Sequence, residues 1–297
     1  MQSVQLNDID TTADLTGRAI LELVDEVSGL VSPPDVCIKL ENLLRDESAS
    51  ADSFGDVIAY DPNLTAQILK LANSAHVSYR GRIDTVSRAV TVLGTSEILS
   101  LAYTAHAVAN FSKIDSEITD VRTFWQHAAY VALIARAIAK QRNVLHPERL
   151  FVAGMLHDLG ALILNHGYPS RCAELIAAAG GDEMLLARLE REAFGFDHAA
   201  LGAALLERWQ LPRHLCDAVR WHHSREMVPS LTEAAVLYVA EGLAALFGAN
   251  FCATPLEQPD FPPAVLEAAG LSPDFDPYDY FDQISPEFVE IVYTLLT

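Results

Sequence analysis

The chain has 297 residues, 51% of them hydrophobic and 20% charged, enough apolar material for one large domain or two modest ones. Its 40 acids against 20 Lys and Arg give a formal net charge of -20. A surface of that sign repels phosphate backbones and anionic membranes, which excludes a nonspecific nucleic-acid or membrane-surface binder and suits a protein partner with a basic patch. The cysteines Cys37, Cys172, Cys216 and Cys252 are widely spaced with no CxxC pair, which argues for a reducing compartment and against a disulfide framework or thiolate zinc site. Met1 to Asp10 is polar and acidic, without the apolar core of a signal peptide, and no apolar run reaches membrane-spanning length. A bacterial-type cytoplasmic protein is expected.

Residues 1–14 are polar and expected to be loose. Helical periodicity runs from about Leu15 to Leu30 through Ile20, Leu23, Val24 and Val27, and Ser32-Pro33-Pro34 breaks it. Helices are predicted over Asp35 to Arg45 and around Ser53 to Ile58. Asp61 is placed to cap the next helix, with Pro62 in its first turn and Leu64, Ile68, Leu69, Leu71 and Ala72 along one side. Arg88 to Phe111 reads as two helices divided at Gly94-Thr95. A long helix over 119–141 is patterned by Val121, Phe124, Ala128, Val131, Ala135 and Ile138.

Residues 148–166 are nearly all apolar and predict one buried helix. Amphipathic helices follow over 170–179 and 182–193. Gly195-Phe196-Asp197 is a turn from which Asp197 can cap a helix over 198–209. Two more helices run from Leu211-Pro212 to near His223 and over 231–247. Val and Ile fall inside helical patterns and no hairpin signal occurs, so the fold class is all-α. From about Thr254 the chain turns rich in Pro, Asp and aromatics, through Phe281-Asp282, and ends in an apolar helix from Pro286 to Leu296. The apolar residues of this tail need burial, which favours capping of the core over docking of a partner.

A scattered set of histidines and acids carries the chemistry: His127, His157-Asp158, His198, His222-His223 and Glu241. Neutral imidazole and carboxylate are common ligands of Zn, Fe and Mn, and gathered in one pocket these side chains can hold one or two such ions. Taken singly, each has a plainer explanation. His127 can bond a backbone carbonyl, His198 can merely start a helix, and His222-His223 can sit at a helix end because the dipole favours it there. Glu241 can reach solvent or an arginine. His157-Asp158 is harder to dismiss. It stands inside the apolar run Phe151 to Leu164, where an unpaired His and Asp are costly to bury. The plain alternative is a buried His–Asp pair joining two helices. Neighbours on a helix diverge by about 100°, so both reach one ion most easily at a bend or a helix end, and Gly160 is the expected place of such a bend.

This spread of residues resembles the HD superfamily of metal-dependent phosphohydrolases, and is most similar to its HDOD family, regulatory relatives of the HD-GYP phosphodiesterases. The stretches that carry the resemblance are Asp61-Pro62-Asn63-Leu64 with Leu71-Ala72-Asn73-Ser74-Ala75, Ser87 to Gly94, Phe151 to Gly160, and Phe194 to Ala203 with Trp209, Leu211-Pro212 and His222-His223 downstream. The first two are particular to the HDOD group. The resemblance implies an N-terminal helical lobe (15–115) packed on an HD-like lobe (116–250), together a domain over 15–250, with 251–297 as an acidic aromatic extension. It implies a role in bacterial signal transduction through a protein or ligand partner. It also departs from the catalytic relatives. Ala161 stands where HD-GYP enzymes carry a lysine, and Ser224-Arg225-Glu226 replaces the acid that follows their double histidine. The glycine-tyrosine-proline motif is missing, and Glu241 is the nearest candidate for a final aspartate.

A regulatory module without catalysis is the resulting expectation. Its pocket of His127, His157, Asp158, His198, His222, His223 and Glu241 would take one or two ions of Fe, Mn or Zn. The alternative is a metal-dependent phosphohydrolase with Asp158 bridging two ions that activate water.

Overall fold

A computed structural model describes residues 18–25, 35–75, 83–112, 118–144, 147–247 and 261–296. The described residues form helices joined by turns and loops, with no strand among them, as the periodicity predicts. Of the expected Leu15–Leu30 helix, residues 18–25 are described and form α1. The loose N-terminus, the Ser32-Pro33-Pro34 break, Cys252 and the onset of the tail at Thr254 lie outside the described residues. The elements that follow are α2 (Asp35–Leu44), α3 (Ala51–Ala59), α4 (Pro62–Ala75), α5 (Val86–Leu93), α6 (Thr95–Phe111) and α7 (Val121–Gln141). Then come α8 (Glu148–Leu156), α9 (Leu159–Gly167), α10 (Pro169–Ala179), α11 (Glu183–Phe194), α12 (His198–Arg208) and α13 (Arg213–Trp221). A 3-10 turn (Val228–Ser230) leads into α14 (Thr232–Leu246), α15 (Pro263–Ala269) and α16 (Pro277–Leu296).

Side-chain caps set many of the starts. The Asp61 carboxylate accepts from Leu64 N at 3.0 Å, and that of Asp197 from Ala200 N at 2.8 Å. Each satisfies an amide that the first helical turn leaves without an internal partner. Gly94 separates α5 from α6 at φ +94°, a conformation that a side chain would strain.

The central element is α7, against which α8, α14 and α16 pack. Its buried side is lined with small residues, among them Ala128, Ala132 and Ala135. Gly154 of α8 meets it backbone to backbone: a Cβ there would fall 2.5 Å from Ala132 Cα. This close approach carries the end of α8 toward α7 at Ala132, five residues along the helix from His127. Elsewhere, Tyr103 of α6 stacks on Trp209 at 5.3 Å between centroids. The Tyr103 hydroxyl donates to the buried Glu41 carboxylate, and Arg45 reaches Gln210. These contacts tie α2 and α6 to the end of α12.

Two expectations need correction. The apolar run over 148–166 is not one helix. It breaks at His157-Asp158, with Asp158 at φ -102°, ψ 10°. That lies in the sparsely populated bridge region, where an unbroken helix cannot place a residue. The bend is therefore at the His–Asp pair itself and not at Gly160. Gly160 serves a close approach instead: a Cβ on it would lie 2.0 Å from His198 O and 2.6 Å from Gly202 N. The C-terminal helix begins at Pro277, not Pro286, with Asp276 accepting from Tyr278 N at 2.9 Å. Its apolar side lies on α7, where Tyr280 and Ile284 are buried and Phe288 meets Tyr130 at 3.9 Å between ring centroids. None of the described helices is long and apolar enough to cross a membrane.

Gly160→Ala tests the backbone contact. Backbone atoms cannot swing aside as a side chain end can, so the added methyl should destabilise the fold by about 1–3 kcal/mol through overpacking, read as a lower urea midpoint. An unchanged midpoint would show slack between α9 and α12.

Candidate metal centre

All seven residues singled out in the sequence converge. His127 comes from α7, His157 and Asp158 from the α8–α9 break, and His198 from the first turn of α12. His222 and His223 follow α13, and Glu241 lies on α14. Each is between 0% and 6% exposed. They form two groups of four that share Asp158, one with His198, His222 and His223, the other with His127, His157 and Glu241. Within each group the potential donor atoms all lie within 4.8 Å of one another.

The Asp158 carboxylate divides the two groups. Its Oδ2 faces His157 Nε2 at 3.2 Å and His127 Nε2 at 3.6 Å. Its Oδ1 faces His198 Nε2 at 3.5 Å and His222 Nε2 at 3.7 Å. His223 closes the ring, with Nε2 2.9 Å from His198 Nε2 and Nδ1 3.6 Å from Glu241 Oε2. The helix break makes this possible, because it turns two successive side chains toward one point.

The outward ring nitrogens are occupied. His157 Nδ1 donates to Gly154 O at 2.7 Å and His222 Nδ1 to Val219 O at 2.5 Å. A carbonyl only accepts, so each Nδ1 carries a proton, and in the neutral ring each Nε2 then turns a lone pair inward. His198 Nδ1 donates at 2.6 Å to Glu190 Oε2, which also accepts from His198 N at 2.9 Å. A carboxylate behind a ligating imidazole fixes its ring orientation and raises its basicity. Toward the middle, Asp158 Oδ1, His222 Nε2 and Glu241 Oε1 are buried without a hydrogen-bond partner. Buried polar atoms normally have one. Lone pairs turned inward around uncompensated acceptors form a donor set that could hold a cation. Imidazole and carboxylate without thiolate suit Fe, Mn or Zn, so the residues fit such an ion.

Electrostatics agree with that polarity. Burial alone would raise Asp158, but His157, His222 and His198 outweigh it and hold its carboxyl well below the usual range. Burial also works against a charged His198, yet Glu190 and Asp158 lift its imidazole well above the ordinary value. His223 is pushed well below it by burial and then by His222 and His198, and His222 is lowered chiefly by burial. Burial, then Asp158 and Glu183, push Glu241 well up. The acids crowd where positive charge is wanted.

Two acids of this neighbourhood escape the sequence reading. Glu190 had a signal: it follows the buried Leu186 and Ala187 on one stripe of α11, so an acid stands on an apolar face. Glu183, whose charge acts on Glu241, had none, since an acid in a first turn is ordinary.

Comparison with known proteins agrees with the fold and with the family resemblance. Residues 30–225 match the family model described as the HDOD domain. An uncharacterized protein of Treponema pallidum (strain Nichols) is 24% identical over 223 residues, covering 75% of this chain and 42% of that protein. The chain thus spans about two fifths of the length of this curated relative. Among solved structures, a candidate phosphohydrolase from Shewanella amazonensis SB2B has a TM-score of 0.68 at 25% identity, covering 93% of this chain and 98% of the other. An HDOD domain protein of unknown function from Geobacter sulfurreducens has a TM-score of 0.66 at 26% identity, covering 93% and 96%.

Glu190→Ala should weaken the protein even in chelator. It strips the acceptor from a buried imidazole and a buried amide, an expected loss of about 1–3 kcal/mol in urea unfolding. Stability equal to that of the unaltered chain would mean that the pair does not hold His198.

Proposed function

The chain belongs to the HDOD domain family, and from that premise we propose that it is a regulatory signal-transduction module whose buried histidine–acid centre holds one or two ions of Fe, Mn or Zn without catalysis. The observation that carries the metal is the convergence of seven buried donors around inward lone pairs, with Asp158 Oδ1, His222 Nε2 and Glu241 Oε1 left without hydrogen bonds. His127, His157, Asp158 and Glu241 would hold one ion, and Asp158, His198, His222 and His223 the other. A bound ion supplies Lewis acidity and a tie between helices distant in sequence. Glu190 orients His198, and the carbonyls of Gly154 and Val219 orient His157 and His222.

The absence of catalysis rests on what surrounds the donors. Ala161, buried in α9, stands where the catalytic relatives have a lysine, so the cation that would stabilise charge on a reacting phosphoryl group is missing there. The donors are enclosed, with little surface open to a substrate. Residues 15–115 and 116–250 are read as the two lobes of one domain, and 251–297 as an extension. The acidic surface favours a basic protein partner in a bacterial cytoplasm. A second reading, metal-dependent phosphohydrolase, is favoured by Asp158, whose two oxygens each face a different group of imidazoles as a bridging carboxylate does.

Metal analysis of purified protein should find Fe, Mn or Zn, and chelation should lower the melting temperature, since an ion at about a thousand times its Kd contributes roughly 4 kcal/mol to the native state. His157→Ala should lower both the metal content and the chelator-sensitive part of that stability. Identical melting with and without chelator would contradict a bound ion. Bis(p-nitrophenyl) phosphate with Mn or Fe should turn over at background rate. Turnover in the ordinary enzyme range of about 1 s⁻¹ or more, abolished by Asp158→Ala, would establish the hydrolase instead.

A further inference from the structure

A cleft among the described residues touches the centre. It encloses about 800 Å³, within the range of small-molecule sites, and His223 lines it. So do Arg188, Arg191, Arg220 and Arg225, a concentration of guanidinium groups in a chain whose acids outnumber its bases 40 to 20. Two of these are engaged: Arg191 pairs with Asp197, and Arg220 with Glu207 at 2.7 Å. Arg188 has only a distant, exposed contact with Glu192 at 3.8 Å. Arg225 carries no ion pair with a described residue. The acids of the lining are Asp182, Asp197 and Glu226. Asp182 and Asp197 are committed as caps, accepting from Leu185 N at 3.0 Å and Ala200 N at 2.8 Å. Guanidinium groups with free donors bind phosphate oxygens in a paired, planar fashion. Trp221 adds an apolar wall, against which an organic group can lie.

We propose that this cleft binds a small organic phosphate, with Arg188 and Arg225 neutralising its phosphoryl group and Trp221 packing on its organic part. The ligand would be the signal that the module reads. The proposal rests on the metal reading above only for an ion behind His223; the arginines and the cleft stand without it. Arg225 belongs to the Ser224-Arg225-Glu226 stretch that replaces the catalytic motif, so this chain carries its cation outside the buried donors, where it can hold a phosphate without forcing it onto them.

The probe is phenyl phosphate, titrated calorimetrically into the full chain as purified and again after chelation, with benzyl alcohol as the neutral comparison. Saturable binding of phenyl phosphate and none of benzyl alcohol is expected. Arg188→Ala combined with Arg225→Ala should weaken it by about tenfold or more, the loss of a charge-assisted hydrogen bond, with metal content and melting temperature unchanged. Both side chains are exposed, so the fold should tolerate their loss, and Arg225→Glu should abolish binding by repulsion. No saturable binding, equal binding of benzyl alcohol, or affinity indifferent to these variants would overturn the cleft while leaving the metal result intact. Arginine-dependent binding by protein that proves free of metal would uphold the cleft and remove only the ion.

Discussion

The structure turns on one buried carboxylate. Asp158 sits 2% exposed among His127, His157, His198 and His222, and a charge removed from water at that depth must be matched by opposite charge. The imidazoles do so in part. His198 is lifted toward the protonated form by Glu190 and Asp158, while burial and the neighbouring imidazoles drive His222 and His223 toward the neutral form. A cation on the inward lone pairs, as proposed, would add to that balance. The surrounding architecture follows from assembling these groups: a helix break that aims two successive residues at one point, and glycines that let backbones touch on either side of it.

Packing and the geometry of the centre are coupled through this arrangement. Gly160 brings α9 against α12, and Gly154 brings α8 against α7, so the positions that allow tight packing also fix the donor distances. Glu190 extends the coupling outward, joining α11 to the ring of His198. Because α11 also lines the arginine cleft beside His223, occupancy of the cleft and order at the centre share an element. Linkage requires that any influence of one on the other be reciprocal.

Much of this was legible in the residues. Apolar periodicity gave the helices, and Asp61 and Asp197 announced their own caps. The cost of burying His157-Asp158 in an apolar run pointed to the centre, and all seven residues so marked meet there. What periodicity does not show is where a continuous apolar run bends. The demand that breaks the helix at Asp158 comes from His127, His198 and His222, which are distant in sequence. For the same reason Gly160 looks in the sequence like a bend, while its need in the fold is space for His198 O. The cleft was unreadable in advance because its arginines come from α11, α13 and the turn after it, and only tertiary packing sets them around one void.

The most direct test of the centre is diffraction from crystals of the purified protein at energies spanning the Fe, Mn and Zn absorption edges. An ion on the proposed donors predicts one or two anomalous peaks about 2.0–2.3 Å from Asp158 oxygens and imidazole Nε2 atoms. Absence of anomalous signal there, with Asp158 instead accepting hydrogen bonds from protonated imidazoles, would contradict it.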